Sequence, residues 1–145
     1  VVSSDGGLVA RYAGTCVPCG RENTFEFTLD PETPPVDAYG AGDKPSQIIC
    51  PGQFAHHSDD LAARWPGDPA QIPGAKRGAA REDLSWAVRD LEEVAKFMRD
   101  GAVPEEAFTS EVGRALYRAQ PGRFRRLRLN ARIEAYRRLV AALAA

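Results

Sequence analysis

Two cysteines set two residues apart, in the run Cys16-Val17-Pro18-Cys19-Gly20, constrain this chain more than any other feature. Such a pair can grip one tetrahedral metal ion from a tight turn. The glycine behind the second cysteine admits a left-handed backbone, which aims main-chain amides at the sulfurs. The flanks fit a hairpin. Leu8 to Thr15 and Glu22 to Leu29 read as strands, and in the second Phe25, Phe27 and Leu29 alternate with Glu26 and Thr28, the period of a half-buried strand. Gln47-Ile48-Ile49 is expected to add a short third strand.

Beyond the hairpin the pattern changes. Asp30 to Ser46 is punctuated by Pro31, Pro34, Pro35, Gly40, Gly42 and Pro45 and reads as a loop. Trp65 to Gly78 is a second connection rich in proline and glycine. Then Leu84, Val88, Leu91, Ala95 and Met98 recur at helical spacing, with Gly101 as a stop. Pro104 opens a short turn leading to Phe108, Thr109 or Ser110 can cap a helix through about Ala119, and Pro121-Gly122 breaks the chain. A last helix is expected from about Arg123 to Leu143, with Leu129, Ile133, Tyr136, Val140 and Leu143 as its apolar stripe. The fold class is therefore α+β: a small β-hairpin with a zinc knuckle, followed by a bundle of about four helices. Residues 1–65 form the knuckle region with a following helix, and 66–145 the helical region, packed together as one globular unit.

Charge is distributed unevenly. Residues 1–110 hold 10 Lys/Arg and 18 Asp/Glu, a net of −8, while residues 111–145 hold 9 Arg and 2 Glu, a net of +7. On the last helix Arg125, Arg128 and Arg132 fall along one side of the apolar stripe, and Arg123, Arg126 and Arg137 along the other. Arginine stems often simply border a core-facing helix. The alternative is a guanidinium-rimmed groove that grips carboxylates or phosphates. An acidic protein surface is the expected partner. Nucleic acid is the second, disfavoured by the acidic front. No run of about 18 apolar residues exists for a membrane. The first residues lack a basic segment followed by an apolar one, and three cysteines are an odd number with one close pair. Together these point to a reducing, cytoplasmic setting.

A structural zinc site needs four ligands, and Cys50 is the one cysteine besides Cys16 and Cys19. Three readings compete. In one, Cys50-Pro51-Gly52-Gln53 is a second knuckle with Gln53 in the last ligand position. In another, His57 (or His56) completes a set of three cysteines and one histidine, which requires a loop from 50 to 57 and a helix capped by Ser58. In the third, the helix starts at Pro51, a favoured first position, with Cys50 as its cap. Phe54, His57, Leu61 and Trp65 would then share a face and His57 would be a core histidine. Seven helical residues span about 10 Å, so Cys50 and His57 could not share an ion. The ligand set expected from the leading reading is Cys16, Cys19, Cys50 and His57, holding zinc.

Over residues 8–53 the chain resembles a zinc ribbon, through Cys16-x-x-Cys19-Gly20, the strand Phe25-Glu26-Phe27 and the Cys50-Pro51-Gly52-Gln53-Phe54 turn. As a whole it resembles a family of small proteins from high-GC bacteria, through Arg11-Tyr12, Gly113-Arg114-Ala115-Leu116-Tyr117 and Pro121-Gly122-Arg123-Phe124-Arg125-Arg126. The resemblance implies a zinc knuckle at Cys16 and Cys19 and carries no activity. The expected function is a non-catalytic, zinc-stabilised interaction or regulatory protein. It would contact its partner through Arg123, Arg125, Arg126, Arg128, Arg132 and Arg137. The enzyme alternative is thiol or metal chemistry at Cys16, Cys19 and Cys50 with His56 or His57; the remaining alternative is a nucleic-acid-binding accessory protein.

Overall fold

The computed structural model describes residues 2–4, 7–29 and 42–144. The chain divides into two units, Val1–Ala38 and Tyr39–Ala145. The first carries an antiparallel sheet and the second a four-helix bundle, the α+β arrangement expected. The division falls earlier than the expected one after residue 65. Phe54, Ala55 and Leu61 of the first helix are buried in the bundle core, so burial of apolar surface assigns that helix to the bundle.

The sheet has the order β1 (Val2–Ser4), β2 (Gly7–Thr15) and β3 (Glu22–Leu29). Its third strand therefore comes from the chain start. Residues 47–49 form a bend in which the Ser46 hydroxyl accepts the amides of Ile48 and Ile49 at 3.3 and 3.0 Å. That hydroxyl occupies amides which strand pairing would have used. In the β2–β3 register Tyr12 faces Phe25, Ala10 faces Phe27 and Arg11 faces Glu26. The alternation read from the sequence therefore sorts aromatic from charged residues onto opposite faces. Tyr12 meets Phe27 edge-on with centroids 5.8 Å apart. Arg11 holds Glu26 through its Nε at 2.7 Å and Nη2 at 2.6 Å.

The bundle consists of α1 (Pro51–Ala62), α2 (Arg77–Lys96), α3 (Glu111–Ala119) and α4 (Arg126–Ala144). Helix α1 starts at Pro51 with Cys50 as its cap, the third of the sequence readings. Gln53 closes a capping box: its side-chain oxygen accepts the Cys50 amide at 3.0 Å. This gives Gln53 a local role in place of the expected last ligand position. Ser58 is fully buried and donates to the Ala87 carbonyl at 2.9 Å, tying α1 to α2. Leu84, Leu91 and Val94 of α2 and Leu129, Ile133 and Leu143 of α4 complete the core. Tyr136 and Val140 pack against it, as the apolar stripe of the last helix requires. Helix α3 is capped by Ser110, whose hydroxyl accepts the Gly113 amide at 3.0 Å.

Candidate functional site

The expected last helix is broken at its start, and that break creates the strongest feature of the bundle. Pro121–Phe124 form a 3-10 turn because Phe124 is drawn into the core against Phe108 and Tyr117, at centroid distances of 4.7 and 5.9 Å. The Phe124 carbonyl accepts the Val103 amide at 3.1 Å, and the Arg126 amide donates to Gly101 at 2.8 Å. Between them Arg125 is extended (φ −80°, ψ 144°), and α4 begins only at Arg126. In consequence Arg123, Arg125, Arg128 and Arg132 line one cavity of about 530 Å³ together with Gln120 and Gly122. A continuous helix would have set Arg123 on the opposite side of the apolar stripe. The turn brings it to the same side.

One carboxylate holds two of these four arginines. Both Nη atoms of Arg123 reach the two oxygens of Asp59 on α1, each at 2.9 Å, and Arg132 Nη2 reaches Oδ1 at 2.7 Å. Arg132 Nε also donates to the Tyr136 hydroxyl at 3.0 Å. Two of the guanidiniums are thus held in place from within. Arg125 and Arg128 are exposed, and no carboxylate among the described residues pairs with either. Four guanidiniums line the cavity and Asp59 engages two of them, which leaves the cavity strongly positive. Local sequence pattern does not reveal this role of Asp59, because its partners lie 64 and 73 residues further along. The other two arginines of the expected set go elsewhere. Arg137 is bound to Glu134 and Glu92, each at 2.7 Å. Its hydrogen bonds to those carboxylates, Glu134 first, raise its guanidinium pKa above the ordinary value. Arg126 is exposed and lies outside the cavity lining.

The first cysteine pair sits at the β2–β3 turn. The Cys16 amide donates to the Arg21 carbonyl and the Gly20 amide to the Cys16 carbonyl, both at 2.8 Å, with Gly20 at φ +69°. Hydrogen bonds from the Arg21 amide and then from the Cys16 side chain lower the Cys19 thiol below its ordinary value. Cys19 is exposed and Cys16 half-buried.

Cys50 differs in kind. It is 3% exposed, and its sulfur lies 3.1 Å from the Ser110 hydroxyl, where the N-termini of α1 and α3 meet. Burial pushes this thiol up. The Ser110 side chain and the amides of Ser110, Gln53 and Gly52 outweigh that, and the net shift is downward. His57 is not a core histidine. Its side chain is 58% exposed, while Nδ1 lies 2.7 Å from Oδ2 of the buried Asp90 on α2. His56 is exposed, with Nε2 3.7 Å from Asp60. The pairing of Cys50 with His57 around one ion is therefore corrected: α1 separates them by two turns and each faces a different partner. Among the described residues no group of three or more His, Cys, Asp or Glu side chains gathers as a metal site.

These differences predict reactivity. In reduced, metal-free protein near neutral pH, Cys19 should alkylate fastest and Cys50 at least about tenfold more slowly, because reaction needs both a thiolate and access. Peptide mapping over time reads the order; equal rates would mean that the α1–α3 junction opens freely. Stability should also respond to pH. With Cys19 and Cys50 lowered in the folded state, the unfolded chain binds more protons between their folded values and about 9. Stability should rise with pH through that window and be lost as pH falls through the folded values. Urea titrations at several pH values should show the rise, reduced in Cys50→Ser.

Comparison of the chain with protein-family models, curated proteins and solved structures gives no match in any of the three.

Proposed function

We propose that this protein is a non-catalytic interaction module of the bacterial cytoplasm that recognises carboxylates of an acidic protein partner in its arginine-lined cavity. The observation that carries the reading is the convergence of Arg123, Arg125, Arg128 and Arg132 on one concave surface, with Arg123 and Arg132 held on Asp59. Arginine suits this task because its planar fork of donors matches a carboxylate with two parallel bonds. Immobilising two of the four forks beforehand lowers the ordering cost of binding. Zinc is the proposed structural cofactor, at Cys16 and Cys19 of the hairpin turn, where it would fix the turn. A thiol–imidazole catalytic pair is not favoured, since α1 holds Cys50 and His57 apart and Cys50 is buried against Ser110.

The test is titration with a fluorescent Glu/Asp-rich peptide at low and high salt. Wild type should bind, less well as salt rises. Arg125→Ala combined with Arg128→Ala should weaken binding by about tenfold or more, equivalent to about 1.4 kcal/mol. Both side chains are exposed, so unfolding should change little. Equal affinity in the double variant, or tighter binding to a duplex oligonucleotide than to the peptide, would reject the reading.

A further inference from the structure

Zinc held by Cys16 and Cys19 would have only half of its ligands, and among the described residues no third ligand gathers with them. Cys50, the remaining cysteine of the sequence, is buried in the junction between α1 and α3 with its sulfur on Ser110. Withdrawing it would open a helix cap and a close helix contact together. His57 is oriented through Nδ1 by buried Asp90 and stands two helical turns away from Cys50.

The turn itself is well suited to sharing. Two hydrogen bonds of 2.8 Å close it around the cysteines. Both cysteines sit on this one turn, Cys16 half-buried and Cys19 exposed, and the spacing of two residues between them is the one by which a tight turn grips one tetrahedral ion. Cys19 is exposed, and Val17 between the cysteines is 97% exposed, the most exposed large apolar side chain of those described. An isolated, fully exposed valine at a hairpin tip has apolar surface to bury if a second tip approaches.

We propose that two copies of this chain share one zinc ion, each contributing Cys16 and Cys19 to a four-thiolate site that joins the hairpin tips. This rests on the zinc assignment made above and adds the source of the missing ligands. Formation of the site binds one Zn²⁺, releases four thiol protons and leaves a centre of charge −2. Arg21, two residues past Cys19 in each chain, brings a cation close to it in sequence. Closed fourfold thiolate coordination is the structural, non-catalytic form of a zinc site, and a twofold partnership of identical tips is the common symmetry of soluble oligomers. The dimer would also present two arginine cavities to one partner, which raises avidity when the partner bears two acidic stretches.

The experiment is zinc titration of the reduced chain, read by native mass spectrometry and by light scattering after size exclusion. The expected result is one zinc per two chains, a doubled mass, and return to monomer with EDTA. Cys16→Ser and Cys19→Ser should each abolish both zinc uptake and dimer. Cys50→Ser and His57→Ala should retain both. Far-UV circular dichroism of each variant separates loss of the site from loss of the fold. One zinc per monomer, or zinc lost in Cys50→Ser or His57→Ala, would overturn the sharing while leaving zinc in place. A reduced chain that takes up no zinc would overturn the zinc assignment as well. Peptide binding at the arginine cavity is read separately and is untouched by either result.

Discussion

Phe124→Ala is expected to cost about 4 kcal/mol of unfolding free energy, within the range for truncating a buried phenylalanine. The ring is 1% exposed and meets Phe108 edge-on at 4.7 Å and Tyr117 at 5.9 Å. Arg123 also places its guanidinium 5.5 Å from the ring centroid. For a domain whose total stability is on the order of 5–15 kcal/mol, that loss is a large fraction. The consequence for binding is specific, because burial of this ring pulls residues 121–125 out of the helical path. Without it, Arg123 and Arg125 lose the anchor that turns them into the cavity, so affinity for an acidic peptide should fall together with stability. Phe124→Leu keeps most of the apolar volume and should cost less than about 2 kcal/mol while retaining binding. Urea unfolding and peptide titration of both variants test this. A loss below about 1 kcal/mol in Phe124→Ala would place the ring outside the core.

Gly52→Ala should be destabilising although alanine is the better helix former. A Cβ at residue 52 would lie 2.2 Å from the Cα of Gly113 and 3.0 Å from its carbonyl carbon. The obstruction is backbone and has no rotamer to change. Overpacking of this kind costs about 3 kcal/mol, while the gain in helix propensity offsets about 1 kcal/mol. The net loss should be near 2 kcal/mol. The α1–α3 contact would widen, and the Cys50–Ser110 hydrogen bond of 3.1 Å would lengthen with it. The alkylation rate of Cys50 should therefore rise in Gly52→Ala, a readout that a general loss of helix would not single out. Gly78→Ala in α2 meets nothing within 4 Å and should instead stabilise, by up to about 1 kcal/mol. Opposite signs for two Gly→Ala changes would establish that close approach sets the outcome. A gain in Gly52→Ala would refute the tight crossing.

Much of the scaffold is legible in the sequence because its signals are local. Strand alternation around the Cys16–Cys19 turn, the Ser110 cap, the break at Pro121-Gly122 and the stripe from Leu129 to Leu143 each depend on residues within a few positions of one another. Each is found close to where the pattern places it. The start of α1 is open in the sequence between Pro51 and Ser58. The capping box formed by Cys50 and Gln53 decides it, through one hydrogen bond that a ligand-based reading of Gln53 passes over. The third strand expected at residues 47–49 does not form: Ile48 and Ile49 have strand-like side chains, yet their amides are taken by Ser46.

The sequence by itself determined which side chains carry charge, which thiols lie two residues apart, and which faces of each helix are apolar. Tertiary structure decided which of these act together. It set Arg123 beside Arg125, Arg128 and Arg132 by burying Phe124, and it tied Arg123 and Arg132 to Asp59 across α1. It also fixed Cys50 on Ser110 and His57 on Asp90, away from each other. The reason is physical. Local periodicity reflects backbone geometry within a turn or two, whereas ion pairs spanning dozens of residues exist only after the helices have packed and brought their charges within a few ångströms.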